Sequence, residues 1–375
     1  MKKMSVKKIA AIEAVIIIAL IVSFPAYIMS TQPQTITISG AGATFPQPLI
    51  QKWGEEFYDL TGVQVEYEGI GSGGGIRQFI NKTVDFGATD IPMSDEEFAQ
   101  APGVLHIPET IGGVVIVYNI PNIDSGLNFT GEILAQIFGR NITKWNDPQL
   151  VAINPGVTLP DKEIVVVHRS DSSGTTGVFT AFLADESEFW ANNFGAGKII
   201  NWPKDTLGGK GNPGVAALVQ QNDYSIGYVE LSYALNSQPP LTYGRVQNAA
   251  GEFVEPSFET LKQAAAVSIS VLPRGNESWA SVGNYFNLHK VENATGAYPI
   301  TSFSYIIVYR ELSVVPGMTL EKAKALTWFL WWIIHDGQHY APLLSYVPLP
   351  DVVVKLNEET LRMITFNGEQ VNDWT

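Results

Sequence analysis

The residues with the clearest capacity for chemistry lie in Val165–Leu183, which reads VVVHRSDSSGTTGVFTAFL. Arg169 is a fixed cation able to grip an oxyanion through two parallel hydrogen bonds. Asp171, two residues on, is close enough to hold that guanidinium in place. Ser172, Ser173, Gly174 and Thr175 then make a turn rich in hydroxyls and free backbone N–H groups. A second turn of this kind carries Thr44 and Phe45, and a third carries Ser72 within a run of glycines. No activated nucleophile accompanies them: there is no cysteine, no G-x-S-x-G elbow and no HExxH. His335 and His339 are four residues apart, a spacing compatible with zinc, but Gly337 lies between them and no Glu follows His335. Neither a catalytic set nor a metal site is assigned. The chemistry on offer is capture of an anion.

Each of these turns needs a particular kind of element behind it. Ile164–Val167 reads as a buried strand, and Phe179, Phe182 and Leu183 recur at helical spacing, so Ser173-Gly174-Thr175 sits where a strand becomes a helix. A helix start leaves several N–H donors without intrahelical partners, at the positive end of its dipole. Taken alone, the stretch suits an anion site and an ordinary capped helix equally well. The other turns repeat the arrangement. Thr35–Ile38 alternates as a strand, and Leu49, Trp53, Phe57 and Leu60 mark one face of the helix after Thr44-Phe45. Val63–Tyr67 is a strand that leads into Gly69–Gly75 and a helix carrying Ile76, Phe79 and Ile80. Val84–Gly87 is a short strand before Ala88-Thr89-Asp90, and Ser94 with Glu97 is a capping box. Repeated strand–loop–helix units predict an α/β fold with parallel strands.

At 375 residues the chain is long for one core, which predicts two domains. Gly113–Tyr118 (GVVIVY) and Ser304–Tyr309 (SYIIVY) are similar β-rich runs. If both cross between lobes, residues 35–110 and 297–375 form one lobe and residues 111–296 a second, inserted lobe. The Gly208–Gly214 loop lacks the spacing of a nucleotide cradle and reads as structural. Leu326–Ile334 (LTWFLWWII) is too short to span a bilayer and reads as a core helix.

The net charge is −14; setting aside residues 1–34 removes four Lys and one Glu and leaves 19 basic against 36 acidic residues, or −17. So acidic a body excludes nucleic acid as a partner. It also means that an anion site must work through aimed dipoles and one or two local charges. Three donor-rich turns with Arg169, on a surface that repels anions, favour a tetrahedral oxyanion. Residues 1–34 begin Met-Lys-Lys and continue into a largely apolar run, Ala14–Met29. This directs the rest of the chain out of the cytoplasm, as a cleaved signal peptide or as a retained membrane anchor with a linker. Sequons at Asn81, Asn128, Asn141, Asn276 and Asn293 fit an outward-facing, N-glycosylated surface.

The strings GAGATFPQP, GIGSGGG, VDFGATDIPMSDE, IGGVV, HRSDSSGTT, LGGKGNPGVAA and IGYVE occur in this order from Gly40 onward. They resemble the phosphate-binding proteins of phosphate ABC importers. The resemblance implies a two-lobed, periplasmic-binding-protein-like α/β fold that closes on inorganic phosphate and delivers it to a membrane permease, without a cofactor and as a monomer. Thr44, Phe45, Ser72 and Asp90 would come from the first lobe; Arg169, Ser173, Gly174 and Thr175 from the second, with Asp171 orienting Arg169. His168 stands where the family often has a second Arg, and Thr89 where Ser is common. Asp90 is then the discriminating group. A carboxylate in an anion site accepts a hydrogen bond from phosphate, which keeps a proton at neutral pH, and meets only repulsion from sulfate, which does not. Binding of another oxyanion, such as sulfate, molybdate or tungstate, is the alternative; a surface phosphatase on the same fold is a more distant one.

Overall fold

Small and β-branched residues make Thr37–Gly42 (TISGAG) a strand that other strands can approach closely; this is β1. The computed structural model describes residues 35–268, 272–280 and 294–372. The N-terminal segment 1–34, His289 and Asn293 lie outside the described residues. Helix α1, Gln47–Thr61, follows β1 and ends at Gly62, whose φ of 74° suits a residue without Cβ and whose N–H donates to the Tyr58 carbonyl. Leu49, Trp53 and Phe57 on α1 are buried, and the Trp53 indole donates to the Gly337 carbonyl at 2.7 Å. Leu60, expected on the same stripe, is 65% exposed, because the last turn runs past the partners that cover the rest.

Strand β2 (Gln64–Gly69), helix α2 (Ser72–Ile80), strand β3 (Phe86–Thr89) and helix α3 (Asp95–Gln100) follow in alternation. The α3 capping box is complete: Glu97 N donates to Ser94 Oγ, and Ser94 N to Glu97 Oε2. Strand β4, Val104–Asn119, is 16 residues long and buried up to its last residue. Among the elements that follow, β5 (Val165–Arg169), β6 (Leu207–Gly209), β7 (Ser225–Glu230), β8 (Thr242–Tyr243) and β9 (Thr301–Tyr309) join the same sheet as β1 to β4, and helices α4 (Gly174–Glu186) and α5 (Gly211–Gln221) lie between them in sequence. Helices α6 (Leu320–Ile334) and α7 (Asp351–Leu361) follow, and a short antiparallel strand pair, Thr365–Phe366 with Glu369–Gln370, comes after them.

Together β1 to β9 form a nine-stranded sheet in the order β2-β1-β3-β9-β4-β7-β5-β6, with β8 beside β4. The outer strands are parallel, as the strand–loop–helix pattern predicts. The centre is not. β9 runs antiparallel to both β3 and β4, and β4 antiparallel to β7, because the strands that lead into and out of the intervening chain run in opposite directions. Pairing changes along β4: Val104–Gly113 lie against β9, and Val114–Asn119 against β7. The sheet therefore has two sectors joined through one long strand, a two-lobed α/β fold.

Helix α6 buries Leu326, Phe329, Leu330 and Ile333 and leaves Trp328 half exposed. Its Phe329 ring meets Phe57 edge-on at 5.3 Å. Among the described residues no helix is long and apolar enough to cross a membrane. His335 ends α6 with Nδ1 against the Trp331 carbonyl and Nε2 2.9 Å from Glu358, and His339 contacts the Asp336 carbonyl.

Candidate anion site

In a parallel sheet the loops at the carboxyl ends of the strands face one another across the place where strand order reverses. Here Thr44 and Phe45 follow β1, Ser72 follows β2 and Asp90 follows β3. Arg169 is the last residue of β5, and Ser173, Gly174 and Thr175 lead into α4. All of these residues except Gly174 have buried side chains, none more than 3% exposed.

Hydrogen bonds tie them into one cluster. Ser72 Oγ accepts from Gly174 N at 3.0 Å and from Asp90 N at 3.4 Å, joining the turns after β2, β3 and β5. Gly73 N donates to the Ser172 carbonyl at 3.0 Å. Arg169 donates to Asp171 through two parallel bonds, Nε to Oδ1 at 2.8 Å and Nη2 to Oδ2 at 2.6 Å. Its remaining Nη1 reaches Thr175 Oγ1 at 3.2 Å. Thr175 Oγ1 lies 3.3 Å from Asp90 Oδ2, so the guanidinium and the second carboxylate meet through this one hydroxyl. Asp171 holds the fork of Arg169 and accepts from Gly211 N at 3.0 Å, which fixes the cation's direction.

Two of the expected residues contribute less than their side-chain type suggests. Ser173 Oγ accepts from Thr176 N at 3.0 Å as the cap of α4, and Ser173 N donates to the Lys198 carbonyl, so what remains is one hydroxyl proton. Phe45 packs against Tyr346, whose hydroxyl donates to the Phe45 carbonyl at 2.6 Å. His168 stacks on Trp202 at 4.7 Å and makes its own contact with Thr206, 3.0 Å away.

Sequence reasoning missed Asn212 and Ser304. Asn212, in the glycine loop read as structural, donates from its backbone N and from Nδ2 to Thr44 Oγ1, each at 3.0 Å, and from Nδ2 to Thr175 Oγ1 at 3.2 Å. The signal was available: this too is a polar residue where a strand turns through glycines into a helix. Ser304 Oγ lies 3.3 Å from Asp90 Oδ1. It was hidden in a run read only for its apolar residues, although a serine within a wholly buried strand needs a partner.

Burial is the dominant electrostatic cause for Asp90, pushing its carboxyl up to about 7; the Arg169 charge and donors from Thr175 and Ser304 pull it part of the way back. For Asp171, burial also acts upward, but the bonds and charge of Arg169 outweigh it and hold the group below the usual carboxylate range. The site therefore combines one committed ion pair, several neutral donors and a carboxyl balanced near neutrality. It can hold an anion, and Asp90 can sense whether that anion carries a proton. Among the described residues no group of three or more His, Asp or Glu side chains is placed to hold a metal ion.

Comparison with known proteins agrees with this architecture. The PBP superfamily domain matches residues 29–336. The Phosphate-binding protein PstS of Pasteurella multocida is 44% identical over 337 residues, 90% of this chain and 92% of its own length. That of Methanocaldococcus jannaschii is 39% identical, covering 89% and 87%. Among solved structures, a high-affinity periplasmic phosphate-binding protein bound with phosphate superposes with a TM-score of 0.64 at 22% identity, covering 85% of this chain and 92% of that one. The phosphate-binding protein of Stenotrophomonas maltophilia gives 0.64 at 18% identity, covering 88% and 95%. At these identities the structural likeness concerns the fold. The sequence relatives carry the assignment: this chain belongs to the PBP superfamily, within the PstS family.

Proposed function

We propose that this chain captures inorganic phosphate in the cluster around Asp90 and hands it to the membrane permease of an ABC importer. Thr44, Phe45, Ser72, Ser173, Gly174 and Thr175 supply N–H and O–H donors, Arg169 the one aimed positive charge, and Asp90 the acceptor for the ligand's proton. Residues 35–110 with 297–375, and 111–296, are the two parts that close on it; the change of pairing partners along β4 at Gly113 supports that division. A ligand touching both parts stabilises the closed form through contacts the open form lacks. Closure then reports occupancy to the permease, and no chemical step is needed.

The observation that carries this reading is a fully buried carboxyl placed among hydroxyls beside a guanidinium already paired with Asp171. Ionised Asp90 facing sulfate puts two acceptors together in a dry site. Leaving a buried charge unsatisfied costs about 1–3 kcal/mol or more, which is roughly tenfold or more in affinity. Selectivity thus comes from the repulsive element. Titration calorimetry at neutral pH tests it: the protein binds phosphate and rejects sulfate, and Asp90→Asn keeps phosphate while the gap narrows at least tenfold. Sulfate rejection undiminished in Asp90→Asn overturns the role of Asp90.

The chain works outside the cytoplasm as a monomeric binding protein rather than an enzyme, with residues 1–34 as its export signal or anchor. Three sequon asparagines, Asn81, Asn141 and Asn276, are exposed, in keeping with an outward-facing surface. Asn128 is half-buried, and its side-chain amide donates to the Ile153 carbonyl at 3.0 Å.

A further inference from the structure

Ser304, in β9, stands between two buried carboxylates, Asp90 in the turn after β3 and Glu109 in β4. Its Oγ lies 3.3 Å from Asp90 Oδ1 and 2.9 Å from Glu109 Oε1. A hydroxyl has one proton, so it donates to one of them while a lone pair faces the other. Nothing else serves the Glu109 side chain: it is fully buried, and Oε2 has no hydrogen-bond partner among the described residues. Two ionised carboxylates sharing one hydroxyl in a dry interior is an arrangement that acids avoid by keeping a proton between them. Asp90 has the Arg169 charge nearby and donors from Thr175; Glu109 has neither. The retained proton therefore belongs on Glu109.

We propose that Asp90, Ser304 and Glu109 form a proton-sharing relay in which protonated Glu109 donates to Ser304, Ser304 donates to Asp90 Oδ1, and Asp90 Oδ2 stays an acceptor for the proton of phosphate. Glu109 is a positioning residue, acting through Ser304, and it sets the selectivity of a site it does not line. The inference rests on the reading of Asp90 as the ligand's acceptor. Burial also raises the Glu109 carboxyl to about 8, so the relay is intact at neutral pH and is lost in alkali, when Glu109 becomes a second negative charge beside the first.

Of the other ionisable groups that face the relay, Glu230 shares that window and the Tyr67 phenol does not. The Tyr67 phenol of β2, which feels both carboxylates, is held protonated by burial. Gln338, donating to the Glu109 carbonyl, and Asn357, donating to that of Pro108, are neutral. Glu230 of β7, which also feels Asp90, has its carboxyl raised to about 8 by burial, and its nearest phenols, Tyr346 and Tyr233, stay protonated. Glu230 makes no hydrogen bond with Ser304, so its ionisation is common to wild type and to variants of the relay.

The test is phosphate and sulfate calorimetry from pH 6 to 9.5 on wild type, Glu109→Gln and Ser304→Ala. Phosphate's own ionisation is the same for all three and cancels in their ratio. Glu109→Gln should match wild type at pH 6–7 and bind phosphate progressively tighter than wild type above pH 8, by up to about tenfold per pH unit. Ser304→Ala takes a donor from Asp90 and should narrow the phosphate-to-sulfate ratio at pH 7. Parallel pH profiles for wild type and Glu109→Gln overturn the relay while leaving phosphate binding in place. If Glu109→Gln does not fold, an unchanged anion ratio in Ser304→Ala overturns it instead. A wild type that binds no phosphate overturns the reading of the site, and this inference with it.

Discussion

A methyl group added to Gly174 would put its Cβ 2.5 Å from Ser72 Oγ and 2.7 Å from both Cβ and Oδ2 of Asp90. No rotamer of the new residue relieves this, because Cβ is fixed by the backbone. The clash exists only while the turn before α4 lies against the turns after β2 and β3. Gly174→Ala should therefore weaken phosphate binding by about tenfold to a hundredfold, the equivalent of about 1–3 kcal/mol of overpacking. Its melting temperature without ligand should stay near wild type, since an open form escapes the clash. Calorimetry with a melting curve in phosphate-free buffer checks both halves; an equal loss of ligand-free stability would place the clash in the resting fold instead. At this scale the sequence was readable where a residue's type is unusual for its surroundings. A glycine between hydroxyls or an arginine before a helix start announces itself. Asn212 and Ser304 do not, because their role is fixed by neighbours 168 and 214 positions away in sequence.

At the scale of elements, period and caps located the strands and helices that flank Thr44, Ser72 and Ser173, since those signals are local. The direction of β9 and the full length of β4 were not legible. Sheet order depends on which distant strand supplies the next ladder of hydrogen bonds, and a buried run looks the same in either direction. One contact between elements invites a direct test. Lys198 Nζ lies 2.5 and 2.6 Å from the two oxygens of Glu97, and both side chains are about four-fifths buried, 17% and 23% exposed. Glu97 belongs to the capping box of α3, while the Lys198 carbonyl accepts from Ser173 N at the start of α4. On the proposed division these are opposite parts of the clamp, so the pair forms only on closure. Lys198→Ala should raise the phosphate Kd roughly fivefold, corresponding to an ion pair of about 1 kcal/mol. The effect belongs in the dissociation rate, measured by stopped flow. An unchanged rate, with lost thermal stability, would make the pair a brace of the resting fold.

For the whole molecule, the buried acids give stability a pH dependence whose sign follows from proton counts. Burial raises Asp90 from 3.8 to about 7, and Glu109 and Glu230 from 4.5 to about 8. Between those limits the folded chain holds protons that the unfolded chain has released, so stability falls as pH rises. Two histidines oppose this at lower pH. Burial pushes His106 down to about 3 and also lowers His168, so stability rises with pH until 6.5, where an unfolded histidine loses its charge. At the acid end, burial would raise Glu311, but bonds from Ser313, Thr365 and Gly368 prevail and hold it at about 2; their contribution is lost as pH falls from 4.5 towards 2. From pH 6.5 to 8 the carboxyls of Asp90, Glu109 and Glu230 therefore act without opposition from His106 and His168. In phosphate-free buffer the melting temperature should drop by several degrees across this range, and Glu230→Gln should flatten that drop. A side-chain amide has no proton to lose in this range, yet it fills the same space. Glu230 Oε2 accepts from Ser232 N and Ser232 Oγ while Oε1 has no partner among the described residues, so the amide can keep the accepting oxygen and lay its nitrogen in the unpaired position. Scanning fluorimetry at half-unit steps decides it: a melting temperature that is level or rising from pH 6.5 to 8 would mean that these carboxyls ionise in the folded protein, and that its centre is wetter than its burial implies.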